Sequence, residues 1–356
     1  MTTAPDLTAQ FDLVWLQTGF IGDIVLTTAA MALAKICWPD KDQHLITTKV
    51  GAQILGDTPE LKSCLVFDKA GTGMLRATNQ VRRELKKVIP AGRKAILLQA
   101  HRSPRSTILA RSLGLPVVSY EESSGSWMSW RRVPRVAVLH EAHRIALLLG
   151  PLGVTREKIL TSRPSLVPLP LTPEIPWQRN IMGHSGRIVA VAPGSVWGTK
   201  RWLPEYFAEL TRQLWAADDT MVVFVGSPAE SDIASQIVAM LGGSQSSLRL
   251  LNLVGKTSLE DLRRVLPRCS LLVANDSSPI HYASALGVPT VAIFGATVPG
   301  MGFGPLAPKS SVVGVELDCR PCSDHGPQRC PLEHFRCMRT LSVEQVAAAC
   351  QRVMHS

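Results

Sequence analysis

Residues 274–287 read ANDSSPIHYASALG. An apolar run, Leu271–Val273, precedes them and a second one, Thr290–Phe294, follows. The pattern predicts a β-strand, a polar turn, a short helix and another strand. Asp276, Ser277 and Ser278 then fall at the helix start, where unpaired backbone N–H groups meet the positive end of the helix dipole. A phosphate group is well accommodated at such a place. Asp and Ser are also the commonest helix caps, so an ordinary capped helix accounts for the same residues.

Two other strand–loop–helix units carry polar chemistry. Residues 187–202 read RIVAVAPGSVWGTKRW. A strand over Ile188–Ala192 opens into a Pro-Gly-Ser loop bearing Ser195, Thr199, Lys200 and Arg201, followed by a helix over Pro204–Trp215. Open α/β sheets bind ligands at the carboxyl ends of their strands, and Lys200 can neutralise a diphosphate as a mobile point charge. The Gly-Lys-Ser/Thr ending of a Walker loop is absent, and a solvated Lys-Arg pair is the plainer reading. Residues 11–39 read FDLVWLQTGFIGDIVLTTAAMALAKICWP. Here strand Leu13–Leu16 runs into a turn, Gly19–Asp23, and a helix from about Ile24. Asp23 suits a helix cap, and equally a general base at the end of a strand. Gly22 permits close approach of backbone to a ligand.

The chain has 356 residues, 46% of them hydrophobic, and a formal net charge of +10. That length supports two domains with cores of their own. Met1–Gln10 is polar and lacks the apolar core of a leader, and no run of about 18 apolar residues occurs, so neither a signal peptide nor a transmembrane helix is expected. The positive charge implies anionic partners. The basic residues do not alternate with aromatics as a stacking platform requires, and no zinc-finger, helix-turn-helix or RNA-recognition signature is present, so nucleic acid is not expected. An anionic membrane surface or a phosphorylated glycolipid suits the charge as well. Arg82–Lys87 reads as a solvated helix face. Arg102, Arg105, Arg131 and Arg132, in or near loops, are the better anion-binding candidates.

Candidate strands alternate with helices in both halves: Leu13–Leu16, His44–Thr48, Leu65–Phe67, Ala95–Gln99 and Val117–Val118 in the first, then Ile188–Ala192, Met221–Gly226, Leu251–Leu253, Leu271–Ala274 and Thr290–Phe294 in the second. Helices are expected over Ile24–Cys37, Leu75–Val88, Thr107–Leu113 and His140–Leu149. Such alternation predicts parallel sheets with helices on both faces, an α/β class. A proline-rich span ending in Gly183-His184-Ser185-Gly186 reads as a linker. The expected domains are 1–172, a linker at 173–186, a second domain at 187–340, and a final helix within 341–356.

Together the three units resemble the ADP-heptose:lipopolysaccharide heptosyltransferases, glycosyltransferase family 9. The matching residues are Phe20-Ile21-Gly22-Asp23-Ile24-Val25-Leu26-Thr27-Thr28, then Pro193-Gly194-Ser195 with Lys200 and Trp202-Leu203-Pro204, then Asn275-Asp276-Ser277-Ser278-Pro279-Ile280-His281. They span nearly the whole chain in the family's order. Residues 99–116, residues 133–150 and the cysteine-bearing tail are similar to the heptosyltransferase II branch. Ser278 departs from the glycine usual in the third motif, and Gln17 and Thr18 stand where many members carry a basic or small residue.

The resemblance implies a GT-B architecture, with two Rossmann-like domains facing across a cleft and the last helix packing back on the first domain. The first domain would bind the acceptor and the second the nucleotide sugar. It implies metal-independent, inverting transfer of heptose from ADP-heptose to the lipopolysaccharide inner core, a second heptose onto the first, by a cytoplasmic protein peripheral to the inner membrane. Asp23 would be the base and Lys200 the cation for the leaving diphosphate. Ser195, Thr199, Glu230, Asp276, Ser277, Ser278 and His281 would serve the donor, with Glu230 matching a ribose-binding acid, and Arg102, Arg105, Arg131 and Arg132 the acceptor. His281 reads equally as a structural helix residue, and Glu230 as a carboxylate favoured by a helix dipole. Other readings are a nucleotide-sugar epimerase or hydrolase on the same fold, and a non-catalytic module for anionic glycolipid or nucleic acid.

Cys319, Cys322, Cys330 and Cys337 lie close enough in sequence for a structural tetrathiolate site, with zinc the default metal and iron the runner-up. Four reduced thiols in a loop are the alternative. Cys37, Cys64, Cys269 and Cys350 read as scattered core positions.

Overall fold

The computed structural model describes residues 11–217, 219–243, 246–247 and 249–355. Met1–Gln10, read above as a polar start, lies outside the described residues. The chain divides into two units between Leu166 and Val167.

The first unit holds strands β1 (Phe11–Gln17), β2 (Gln43–Thr47), β3 (Ser63–Val66), β4 (Lys94–Gln99), β5 (Val117–Tyr120) and β6 (Arg131–Val133), in the order β3-β2-β1-β4-β5-β6 and all parallel. Its main helices are α1 (Ile21–Cys37), α2 (Lys49–Leu55), α3 (Met74–Val88), α4 (Pro104–Ser112) and α5 (Glu141–Ala146). Strand β1 is buried over all seven residues, as a central parallel strand covered on both faces must be. Its register sets Leu16 beside Gln99, so the carboxyl ends of β1 and β4 lie together. At the other end of β1, buried Asp12 takes Arg93 at 2.8 Å and lies 3.8 Å from His44.

The second unit contains α6 (Pro176–Gly183), β7 (Arg187–Ala192), α7 (Pro204–Ala217), β8 (Thr220–Phe224), α8 (Ser231–Met240), β9 (Ser246–Ser247), β10 (Leu250–Asn252), β11 (Leu271–Asn275), α9 (Ser278–Leu286), β12 (Thr290–Ile293), β13 (Ser310–Val313) and α10 (Val343–His355). The order is β13-β12-β11-β7-β8-β10-β9, parallel except for the β9–β10 pair. Its core joins Val189, Val191, Trp202, Phe207, Phe224 and Val273 with Val346 and Val353 of the final helix.

Each sheet runs outward in both directions from its first strand. Strand β1 is flanked by β2 and β4, and β7 by β8 and β11. The gap at which successive connections leave to opposite sides is where an open α/β sheet leaves room for a ligand.

Several expectations change. The linker expected at 173–186 contains a helix, α6, and the unit boundary falls earlier. The final helix packs on α7, β11, β12 and β13 of the second sheet, because Val346, Ala349 and Val353 complete that core. The helix expected over His140–Leu149 is helical only through Ala146 and tightens into a 3-10 turn over Leu147–Leu152, where Gly150 and Pro151 cannot extend an α-helix. Strands β6 (RRV) and β13 (SSVV) carry too little apolar pattern to be read from sequence.

Candidate active site

At the end of β1 the chain turns through Thr18, Gly19 and Phe20 into α1, which begins at Ile21 rather than Ile24. Gly22 therefore lies inside the helix. Asp23 is in the first helical turn and is not its N-cap; that position is Phe20, which makes no side-chain cap. The glycine that matters here is Gly19. A Cβ on it would lie 2.9 Å from Gln17 Oε1 and 3.1 Å from Asp23 Oδ2, so the carboxylate folds back against bare backbone. Gln17 fixes the turn by accepting from the Gly19 N–H at 3.0 Å and donating to Thr27 Oγ1 at 3.2 Å.

The Asp23 carboxyl is pushed up to about 7, first by burial and then by the charge of Glu141. A hydrogen bond from the Phe20 backbone and the charges of Arg135 and Arg102 act in the opposite direction. Glu141 opens α5, a helix packed on α1. It is held by Arg135 at 2.5 Å and Arg144 at 2.9 Å. Tyr120, at the end of β5, is fully buried, and its hydroxyl has no hydrogen-bond partner among the described residues. Burial, and then Glu141, hold this phenol well above its usual range. Beside Asp23's turn, Thr18 Oγ1 meets His101 Nδ1 at 2.9 Å and Ser106 Oγ at 3.1 Å, linking the loop after β1 to the loop after β4.

Of the four arginines expected on the acceptor side, Arg102 acts electrostatically on Asp23. Arg105 lies on the solvent side of α4, and Arg131 and Arg132 are exposed on edge strand β6, Arg131 lying over the Trp130 ring at 4.8 Å. Sequence reading missed Arg135, Glu141, Tyr120 and His101.

In the second unit the corresponding gap lies between β7 and β11. Lys200 Nζ sits 2.6 Å from Asp276 Oδ2, both side chains being largely buried. Thr297 Oγ1 donates to the same carboxylate oxygen at 2.6 Å. Asp276 is thus the partner of Lys200 and does not cap α9, whose N-cap is Ser277 with no side-chain cap bond. Asn275 holds the two loops together, accepting from the Trp202 N–H at 3.0 Å and donating to the Pro193 carbonyl at 2.7 Å. At the start of α9 the Ile280 N–H is taken by the Ser277 carbonyl at 3.1 Å. Pro279 has no N–H, which leaves those of Ser277 and Ser278 as the donors at this helix end.

The loop around Lys200 is strapped by residues 325–328 of the cysteine-bearing tail. Both the N–H and the hydroxyl of Thr199 go to the Pro327 carbonyl, at 3.3 and 2.5 Å. The Gly198 N–H donates to Gln328 Oε1 at 3.1 Å, Gln328 Nε2 donates to the Val196 carbonyl at 3.0 Å, and Trp197 stacks on His325 at 6.1 Å. Thr199 therefore spends its donors on the strap. Ser195 is buried and accepts from the Trp197 N–H at 3.4 Å. Glu230 accepts from the Ser227 N–H at 2.6 Å, a helix-start bond, and lies so close to Gly194 that a Cβ there would be 2.1 Å from Oε1. His281 is buried on α9 with its ring edge-on to Phe303.

The four late cysteines do not fit a metal as arranged. All are free thiols, and among the described residues no group of three His, Cys, Asp or Glu side chains could hold an ion. Burial pushes the Cys322 thiol up and the Cys337 thiol to about 11, each neighbouring cysteine adding to the effect.

The two doubly wound parallel sheets, each with polar loops at its switch point, define a GT-B glycosyltransferase fold. A family 9 glycosyl transferase from Veillonella parvula has the same fold at a TM-score of 0.80, 21% identical and covering 100% of this chain and 99% of that one. The Escherichia coli ADP-heptose lps heptosyltransferase II superposes at 0.73, 17% identical, over 97% and 98% of the two chains. Residues 172–332 match the family model of glycosyltransferase family 9 (heptosyltransferase). That match takes in β7 to β13 of the second unit, and the likeness of the first unit rests on the fold. Over 171 residues it is 31% identical to lipooligosaccharide heptosyltransferase 2 of Campylobacter jejuni, covering 47% of this chain and 50% of that protein, so the match spans about half the length of this curated relative.

Proposed function

We propose that this protein transfers a heptose from ADP-heptose to a heptose of the lipopolysaccharide inner core, by one inverting displacement. The observation that carries the reading is the pair of switch-point constellations, a carboxyl poised near neutrality in one unit and a buried lysine in the other. Transfer needs both units to act on one donor–acceptor pair. The acceptor hydroxyl oxygen attacks the anomeric carbon while its proton passes to the Asp23 carboxylate. The bond from that carbon to the β-phosphate oxygen breaks, and ADP leaves with the electron pair. A base titrating near the working pH is well matched to this task. Lys200 and the Ser277 and Ser278 N–H groups stabilise the charge developing on the diphosphate. In this reading they do the work that a divalent ion does elsewhere.

Lys200 reaches the diphosphate only by sharing or leaving Asp276, whose freed oxygen can then accept from a sugar hydroxyl. Glu230 can accept from the ribose. Arg102 and Arg135 suit an anionic acceptor, which as a glycolipid keeps the protein at a membrane surface. The names of the relatives support the second-heptose step and the ADP-heptose donor.

The test is Asp23→Ala, assayed for transfer and for ADP binding. Transfer falls about 10²–10⁴-fold while ADP binding stays within about twofold; full turnover in the variant removes Asp23 from the mechanism.

A further inference from the structure

We propose that the outer face of α3 and α4, together with the turn carrying Trp127, is the surface that docks on an anionic lipid bilayer. The proposal deepens the reading of a membrane-borne acceptor, but its evidence is the surface itself. Helix α3 buries Ala77, Thr78, Val81 and Leu85, so its opposite face carries Leu75, Arg76, Arg83 and Lys86. Helix α4 buries Ser106, Thr107, Leu109 and Ala110, and its outer positions are Arg105, Ile108 and Arg111 at helical spacing.

These elements form one continuous face. The Arg82 Nε of α3 donates to the Ser112 carbonyl at the end of α4 at 3.1 Å, and Arg111 Nη1 of α4 donates to the Met128 carbonyl at 2.8 Å. Trp127 therefore stands beside α4.

Two features of this face are unusual for a solvated surface. First, its large apolar side chains point outward: Leu75 is 81%, Trp127 77% and Ile108 57% exposed. Second, among the described residues none of Arg76, Arg83, Lys86, Arg105 or Arg111 forms an ion pair with a carboxylate. Between Arg76, Arg82 and Arg83 lies a groove of about 620 Å³, lined also by Thr72, Asn79 and Gln80. Arg76 and Arg83 on its lining offer guanidinium donors suited to a phosphate head group, while Arg82 is held by the Ser112 carbonyl. Unpaired cations surrounding isolated Trp, Ile and Leu side chains are the composition of an interfacial surface, with charge drawing the protein to anionic lipid and the apolar groups entering the head-group layer. A platform for single-stranded nucleic acid needs several stacking rings, and among the described residues this face presents Trp127 alone.

The experiment is co-sedimentation of the full chain with vesicles that contain no acceptor, made of phosphatidylglycerol and phosphatidylethanolamine or of phosphatidylcholine alone. The protein is expected on the anionic vesicles and not on phosphatidylcholine. Binding should weaken about fivefold for each of Arg83→Gln and Lys86→Gln and about tenfold for Trp127→Ser with Ile108→Ser. ADP binding and thermal unfolding report that the variants remain folded. Two results overturn the proposal: no binding to anionic vesicles at low salt, or binding that responds to the charge changes but not to the apolar ones, which marks a general attraction to polyanions. Because the vesicles carry no acceptor, failure here leaves the proposed transfer untouched, and failure of transfer leaves this surface untouched.

Discussion

Asp23 combines a catalytic opportunity with a cost to the fold. Its carboxyl titrates near 7 because it lies in protein beside Glu141. Activity that depends on the ionised form should therefore rise with pH and level off above neutrality, read as kcat/KM against pH. Replacing Glu141 by Gln removes a nearby negative charge and should move that rising limb to lower pH; an unmoved limb means that Glu141 does not act on the base. The same shift predicts a stability effect. A carboxyl whose pKa is raised on folding holds its proton longer in the folded state, so stability declines as pH rises from about 4 to about 7. Asp23→Asn has no such titration. Its melting temperature should match that of the parent near pH 4 and exceed it at pH 8, and an equal difference at both values contradicts this account.

At the scale of elements, the loop between β7 and α7 owes its shape to a segment more than a hundred residues away. Gly198→Ala places a Cβ 2.4 Å from the Gln328 backbone oxygen, which cannot yield as a flexible side chain does. The strap should shift, and donor affinity measured by calorimetry should fall about tenfold, like the loss of one or two hydrogen bonds. Gln328→Ala should show a milder loss of the same kind, about fivefold. Unchanged affinity in both variants means that the strap does not position Lys200. The arrangement of the thiols leads to one more expectation: prolonged chelation should leave donor binding and melting temperature unchanged. Stoichiometric zinc or iron in elemental analysis contradicts it.

The elements legible in the sequence were those with strong local signals. Continuous apolar runs marked β1, β7 and β11, and the polar loops after them fell where the strands ended. Asp23 and Lys200 stand out as candidates this way. Asp276 stands out too, as a helix cap or a donor contact, and its pairing with Lys200 is visible only in the structure. Glu141, Arg135 and Tyr120 surround Asp23 only through tertiary packing, and no spacing connects residues so far apart in the chain. The strap was hidden for the same reason, because its bonds run through the backbone oxygen of Pro327 and the side chain of Gln328, and neither stands out in sequence.

For the molecule as a whole, the two units are built alike but equipped differently. The first presents a carboxyl of raised pKa amid arginines, and the second a lysine and free N–H groups at a helix start. In the proposed transfer the first set would take the proton and the second would receive the diphosphate. Among the described residues no helix is long and apolar enough to cross a membrane. The most direct test of this division of labour is to incubate the protein with ADP-heptose and a truncated lipopolysaccharide core ending in heptose, following glycolipid mass and ADP together. The account predicts a gain of one heptose for each ADP released. ADP release without gain of mass, or no release from a protein that still binds the nucleotide, contradicts it.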